Sequence, residues 1–287
     1  MKNIFALIIL SHVLISCGED TDDSGSFAPK LIIKLDVNPN QVRLGNTGQP
    51  VAVAAGNGSQ SPLFNKLSAH YVEFAPTANT LLGTGEILYI APETTAGGDL
   101  AINFDQSIKV TPGDTFLEIP LSEINIGSYE WVRLSLAYQN FDIDFSFNNQ
   151  DYNGTFAGFV GFNTYINNFD VKNESVTVNG NKLQGYWAFE TLNGVTTGQA
   201  PPGAITVPNP LFNTSPIPQG SCVVTGEFAT PFVVTGNETE DITVTLSLSV
   251  NESFEWEDTN GNGKWDVDNG NEPVVDMGLR GLIPIRN

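Results

Sequence analysis

The chain has 287 residues, with 32 Asp and Glu against 12 Lys and Arg, for a formal net charge of −20. That balance excludes nucleic acid as a partner and an electrostatic grip on anionic lipid, since both are bound through cationic surface. With 40% hydrophobic and 10% aromatic residues, there is enough apolar mass for a core that needs neither metal nor disulfide to form.

Lys2 supplies a positive start, Ile4 to Leu14 form a short apolar run, and Leu14-Ile15-Ser16-Cys17 closes it. A spanning helix needs about 20 apolar residues; this run is shorter and reads as a removed signal segment, residues 1–16. Those closing four residues resemble the lipobox of bacterial lipoproteins. The resemblance implies cleavage before Cys17 and diacylation of its sulfur, and several acyl chains anchor stably where one would be marginal. Gly18-Glu19-Asp20-Thr21-Asp22-Asp23-Ser24-Gly25 follows. A run this acidic and small cannot fold, so residues 17–29 read as a solvated tether. The run also resembles the acidic signal behind the lipidated cysteine of Bacteroidota surface lipoproteins. That likeness implies the outer face of the outer membrane; a plain spacer on a periplasm-facing anchor is the alternative. Loss of residues 1–16 removes Lys2 and takes the charge from −20 to −21. With Cys17 carrying lipid, Cys222 is left without a disulfide partner and reads as a small buried residue at a strand start.

From residue 30 the pattern is β-rich runs at short intervals, broken by Gly, Asn and Pro. Strands are predicted at Lys30 to Val37, Leu67 to Phe74, Glu86 to Ile90, Leu100 to Phe104 and Phe116 to Ile119. Glu130 to Tyr138, Phe141 to Phe147 and Thr155 to Phe162 continue the series. Asn179-Gly180 lies between two apolar-polar runs, the signature of a hairpin with a type I′ turn. Residues 193–220 carry Pro201, Pro202, Pro208, Pro210, Pro216 and Pro218, which exclude ladder pairing and predict a long surface loop. Asp241 to Val250 alternates cleanly and predicts a strand with one buried face. The expected fold is therefore all-β, an antiparallel β-sandwich or a sandwich-like, partly closed barrel, spanning residues 30–287.

The sharpest chemistry lies near the C-terminus, in Asp258-Thr259-Asn260-Gly261-Asn262-Gly263-Lys264-Trp265-Asp266. Counted from Asp258, oxygen-bearing side chains fall at loop positions 1, 3, 5 and 9: Asp258, Asn260, Asn262 and Asp266. Gly263 stands at position 6, where the sharp turn of an EF-hand-type loop needs glycine, and the Lys264 carbonyl at position 7. Position 12 departs from that pattern: Asn269 replaces the bidentate glutamate, so Glu272 or Asp276 would have to complete the shell. The stretch ahead, Leu246 to Trp256, is strand-like rather than helical. The loop thus resembles the helix-free, EF-hand-like calcium loops of secreted bacterial β-proteins, which implies a structural calcium ion. Two neutral Asn ligands imply modest affinity, about 10⁻⁴–10⁻³ M. The competing reading is an Asx-turn loop that holds no ion.

Other chemistry is thin. His70 is the lone histidine of the mature chain and reads as a surface or packing residue, leaving little for zinc sites or Ser-His-Asp relays. Phe64 to Phe74 resembles, over a short stretch and without a motif, the partner proteins of methanobactin-type copper systems. Copper sites use Cys, Met and His, and Met277 is the one methionine left after cleavage. Glu190, beside Tyr186 and Trp187, is the first carboxylate to inspect for glycoside hydrolysis, with an outward strand glutamate as the alternative. Trp131, Tyr186, Trp187, Trp256 and Trp265 are either core residues or platforms for sugar rings. Tyr186 and Trp187 are adjacent in a strand, so one faces outward unless both sheet faces are covered. The expectation is a non-catalytic surface module binding a glycan or another exported ligand through Tyr186, Trp187 and Trp265. The alternatives are an interaction subunit docked on an outer-membrane protein through the Pro-rich loop, and a hydrolase.

Overall fold

The computed structural model describes residues 28–45, 47–200, 221–268 and 272–287. Cys17, tether residues 18–27 and the prolines at 201–218 therefore lie outside the described residues. Among those described, the first strands are β1 (Lys30–Asn38), β2 (Asn57–Gln60), β3 (Leu63–Ala75), β4 (Glu86–Ile90), β5 (Glu93–Thr94) and β6 (Ala101–Asn103). They continue with β7 (Thr115–Pro120), β8 (Gly127–Phe147), β9 (Gln150–Phe159), β10 (Asn163–Asp170), β11 (Ser175–Leu183) and β12 (Tyr186–Thr191). The series ends with β13 (Gly194–Gln199), β14 (Cys222–Val234), β15 (Ile242–Ser249), β16 (Phe254–Glu257), β17 (Val274–Met277) and β18 (Leu282–Arg286). The only helical turns described are 3-10, Phe104–Gln106 and Leu121–Glu123. The all-β expectation holds.

A seven-stranded sheet, ordered β13-β12-β9-β8-β3-β4 with β14 also on β8, forms the centre and curls into a half-barrel. One face meets the sheet β18-β15-β1-β7. Leu31, Ile33 and Leu35 from β1 and Val244, Leu246 and Leu248 from β15 pack there with Val72, Phe74, Leu134 and Phe141. Each fully buried aliphatic or aromatic side chain contributes roughly 1.5–3 kcal/mol. The opposite face carries a second core, in which Tyr138, Phe159 and Tyr186 pack with Phe104, Ile166 and Phe169. The sheet β11-β10-β6-β5 supplies that cover. A three-stranded sheet, β17-β16-β2, completes the body.

Several sequence expectations change in detail. Glu130 to Tyr138 and Phe141 to Phe147 are not two strands but parts of β8. Inward residues are Val132, Leu134 and Leu136, then Phe141, Ile143 and Phe145, a change of parity along the chain. Ala137 accounts for it: β3 pairs Ala69 with Leu136 and Ser68 with Tyr138, leaving Ala137 as a bulge. One extra residue flips every later side chain, so the alternation reads as broken although the strand continues. The Asn179-Gly180 hairpin is also corrected. Asn179 has φ of 51°, but it sits inside β11, where the pairing with β10 skips between Ile166 and Asn168. The left-handed conformation that Asn tolerates serves a bulge here. The chain reverses earlier, at Val171–Glu174, where the Val171 N–H donates to the Glu174 carbonyl at 2.9 Å, and Gly185, with φ of 85°, lies at the break between β11 and β12. The expected loop from residue 193 starts as β13, antiparallel to β12. Two pairings, β1–β15 and β10–β6, are parallel rather than antiparallel. Leu246 to Trp256 is two strands, β15 and β16, joined by a turn in which Glu252 has φ of 50°.

Candidate calcium loop and adjoining pocket

The segment between β16 and β17 curls as its Asp-x-Asn-x-Asn-Gly spacing predicts. The carboxylate of Asp258 accepts hydrogen bonds from the backbone N–H groups of Gly261 (2.8 Å), Asn262 (3.2 Å) and Gly263 (2.9 Å). Gly261 and Gly263 take φ of 71° and 73°, a region closed to most other residues. Asn260 and Asn262 each accept an N–H two residues on, from Asn262 and Lys264. Their amide Nδ2 groups converge on one oxygen of Asp266, at 2.6 and 2.8 Å.

Glu272 closes the loop. Its carboxylate accepts the N–H of Thr259 at 2.9 Å and of Asp266 at 2.9 Å. Asp276, the other candidate for that place, stands apart. It faces Glu255 across the β16–β17 pair, accepts the Gly278 N–H at 3.0 Å and pairs with Arg280. Burial pushes the Asp276 carboxyl above its ordinary range, against the pull of the Arg280 guanidinium. It belongs to an ionic cluster with Arg43, Glu255 and Arg280.

The loop offers oxygens of carboxylates, amides and a carbonyl, the set that a hard cation takes. Among the described residues no three His, Cys, Asp or Glu side chains form a metal-type group; two of the four residues at positions 1, 3, 5 and 9 are amides. The Lys264 carbonyl already accepts the Trp256 indole N–H at 3.1 Å, which ties position 7 to the core. Asp266 is held below the usual carboxylate range by the Ser146 hydroxyl and, against some burial, by the Asn260 and Asn262 amides and Lys264.

This loop is sewn onto the β8–β9 hairpin. Ser146 donates its N–H to the Trp265 carbonyl at 2.8 Å and accepts the Val267 N–H at 3.0 Å. The Asp268 carboxylate accepts the Asn148 N–H at the tight turn where Asn148 and Asn149 have φ of 52° and 58°. Lys264 reaches across to both oxygens of Asp151, at 2.8 and 2.7 Å. Between the loop, the hairpin and β2 lies a pocket of about 550 Å³, within the usual range for small-molecule sites. It is lined by the aromatic Phe145, Tyr152, Trp256 and Trp265 and by the polar Gln60, Asp144, Asp151, Asn153 and Lys264.

The aromatic residues singled out from sequence are not open platforms. Tyr186 is 6% exposed and Trp265 8%, and Trp187 is half-buried. Both faces of the central sheet are covered, so Tyr186 enters one core and Trp187 packs on the other. Trp187 also lies over Gly198, where any Cβ would collide with its ring. Trp131 is half-buried on β8, and Trp256 is 1% exposed. Trp265 borders the pocket from within the core, its indole N–H donating to the Glu272 carbonyl at 3.0 Å.

The other named residues have packing roles. Glu190 is buried and accepts the N–H groups of Lys172, Asn173 and Glu174, with the Asn173 amide as well. His70 is fully buried, not a surface residue; its Nε2 lies 3.0 Å from Glu93 and its ring against Phe162. Cys222 opens β14, as expected, with burial pushing its thiol up to about 12. Sequence reading missed Gln60, Asp144, Asp151, Tyr152 and Asn153. The one local signal was Asp142 and Asp144 alternating with apolar residues, which marks a polar face without saying what it meets. Comparison of the chain with protein-family models, with curated proteins and with solved structures finds no match.

Proposed function

We propose that this chain is a lipid-anchored surface lipoprotein whose β-body is a non-catalytic binding module for glycans, with calcium bracing the loop at one edge of its pocket. The observation that carries the reading is the pocket itself, whose lining combines aromatic carbon with carboxylate, amide and ammonium groups. That mixture suits a ligand with apolar ring faces and polar edges. Its elements are rigid, since the Gln60 amide donates to the Asp144 carbonyl at 2.8 Å and accepts the Asp144 N–H at 2.9 Å. Asp258, Asn260, Asn262, Asp266, Glu272 and the Lys264 carbonyl would hold the calcium ion, which would neutralise the loop and fix its curl. Glu190 supports the non-catalytic reading, because backbone N–H groups occupy both of its oxygens.

The test is native affinity electrophoresis of the full chain in detergent, through gels containing different polysaccharides, each run with calcium and with chelator. Retardation by at least one glycan is expected, weaker in chelator. Migration unchanged in every gel would overturn the binding-module reading.

A further inference from the structure

The pocket's charge inventory narrows what it can take. Two carboxylates, Asp144 and Asp151, face one ammonium, Lys264. Lys264 is bound at both oxygens of Asp151, so that pair is neutral and Asp144 supplies the net charge. One Asp144 oxygen lies 3.4 Å from the Asn153 amide, a long contact that leaves its accepting capacity open. Backbone bonds to Gln60 fix the residue while its side chain stays exposed. Asn153 itself is steadied by the Ile143 carbonyl at 3.1 Å.

A sugar hydroxyl both donates and accepts. Facing this wall it can donate to Asp144 and accept from the Lys264 ammonium or an amide of Asn153 or Gln60, so a neighbouring pair of hydroxyls satisfies both kinds of group. A uronate or sulfate would set its charge against Asp144 in a chain of net charge −20, and like charges brought together at a binding site are a strong rejecting device. An amino sugar would find Asp144 but would set its ammonium near Lys264. We infer that the pocket selects uncharged, hydroxyl-rich sugar units and rejects both uronate or sulfated and amino-sugar counterparts, with Asp144 as the selecting residue and Tyr152 as the ring-facing wall. This inference rests on the glycan-binding reading and gives it a chemical class.

Trp256 and Trp265 border the pocket while Trp131 and Trp187 lie outside its lining, so an emission shift that is lost in Tyr152→Ala reports occupancy of this site. The full chain in detergent is titrated with neutral hexose oligosaccharides, the matching uronates and the matching amino sugars, at about 0.15 M salt, where the Debye length is about 8 Å. A neutral oligosaccharide is expected to shift the emission with affinity at least about tenfold above its charged counterparts, or ~1.4 kcal/mol. Asp144→Asn is expected to weaken the neutral ligand by about tenfold and to narrow the gap to the uronate, with the thermal midpoint unchanged. Tyr152→Ala is expected to abolish the emission shift. Tighter binding of a uronate or amino sugar, or no effect of Asp144→Asn, overturns the selectivity while leaving glycan binding standing. Retardation in glycan gels without any emission shift places binding elsewhere and overturns the pocket assignment. Neither signal overturns both.

Discussion

Glu190 shows how a carboxylate that looks catalytic in sequence is used to hold a turn. Three consecutive backbone N–H groups point at it, donors that would otherwise be lost where Lys172 to Glu174 bend between β10 and β11. Burial alone would raise its pKa, but the N–H groups of Glu174, Asn173 and Lys172 and the Asn173 amide hold it below the usual range. The sign follows from linkage: a depressed folded pKa contributes stability above the unfolded value, about 4.3, and that stability is lost as pH falls through the folded pKa. Glu190→Gln is therefore expected to cost about 1.5–3 kcal/mol near pH 7, the range for hydrogen bonds to a charged group. The deficit should shrink as pH drops below about 4. Urea unfolding of both proteins across pH 3–7 checks it; a constant difference would mean that the charge is irrelevant and shape alone matters.

At the scale of the element, the segment from Asp258 to Glu272 is the most informative. Its inner order comes from Asp258 and Glu272, each receiving backbone N–H groups, and its outer order from the hairpin that Ser146 and Asp151 present. On the calcium reading, an ion that binds the folded loop but not the unfolded chain stabilises the fold by mass action. With a dissociation constant of about 10⁻⁴–10⁻³ M, calcium at about 10 mM should add roughly 1.4–2.7 kcal/mol. Thermal unfolding in calcium, magnesium and chelator measures it. Asp258→Ala should lower stability in chelator, through the three N–H groups it orphans, and should erase the further gain from calcium. A wild-type midpoint that ignores calcium would leave the loop as a hydrogen-bonded Asx motif.

At the scale of the whole molecule, covered faces decide what remains for function. The central sheet carries a core on each side, so its aromatic residues are structural, and the pocket forms where two sheets meet: β2 and the loop after β16 from the three-stranded sheet, and the β8–β9 hairpin from the central one. On the lipoprotein reading, the body sits at a surface through Cys17 and an acidic tether. Cys17→Ser is expected to leave the signal segment uncleaved and the chain without acyl groups. Metabolic labelling with palmitate and partition into detergent check this, and undiminished label in the variant would place the lipid elsewhere.

Residue pattern alone determined the β class, most strand positions and the curled geometry around Asp258 and Gly263. Each depends on neighbours a few residues apart: alternation, the tolerance of Asn and Gly for positive φ, and oxygens at every second position of a tight loop. Only the tertiary structure decided the rest. The continuity of β8 through Ala137 depends on which partner strand lies beside it, since β14 gives way to β9 along the same edge. Whether Asn179 turns a hairpin or makes a bulge depends on β10. Whether Tyr186, Trp187 and Trp265 are open or buried depends on what covers both sheet faces. That Glu272 bonds the loop backbone while Asp276 does not depends on Arg280, which draws Asp276 into another cluster. The pocket was the least legible feature, because Gln60, Asp144, Asp151 and Lys264 are far apart in sequence and become neighbours only through long-range pairing.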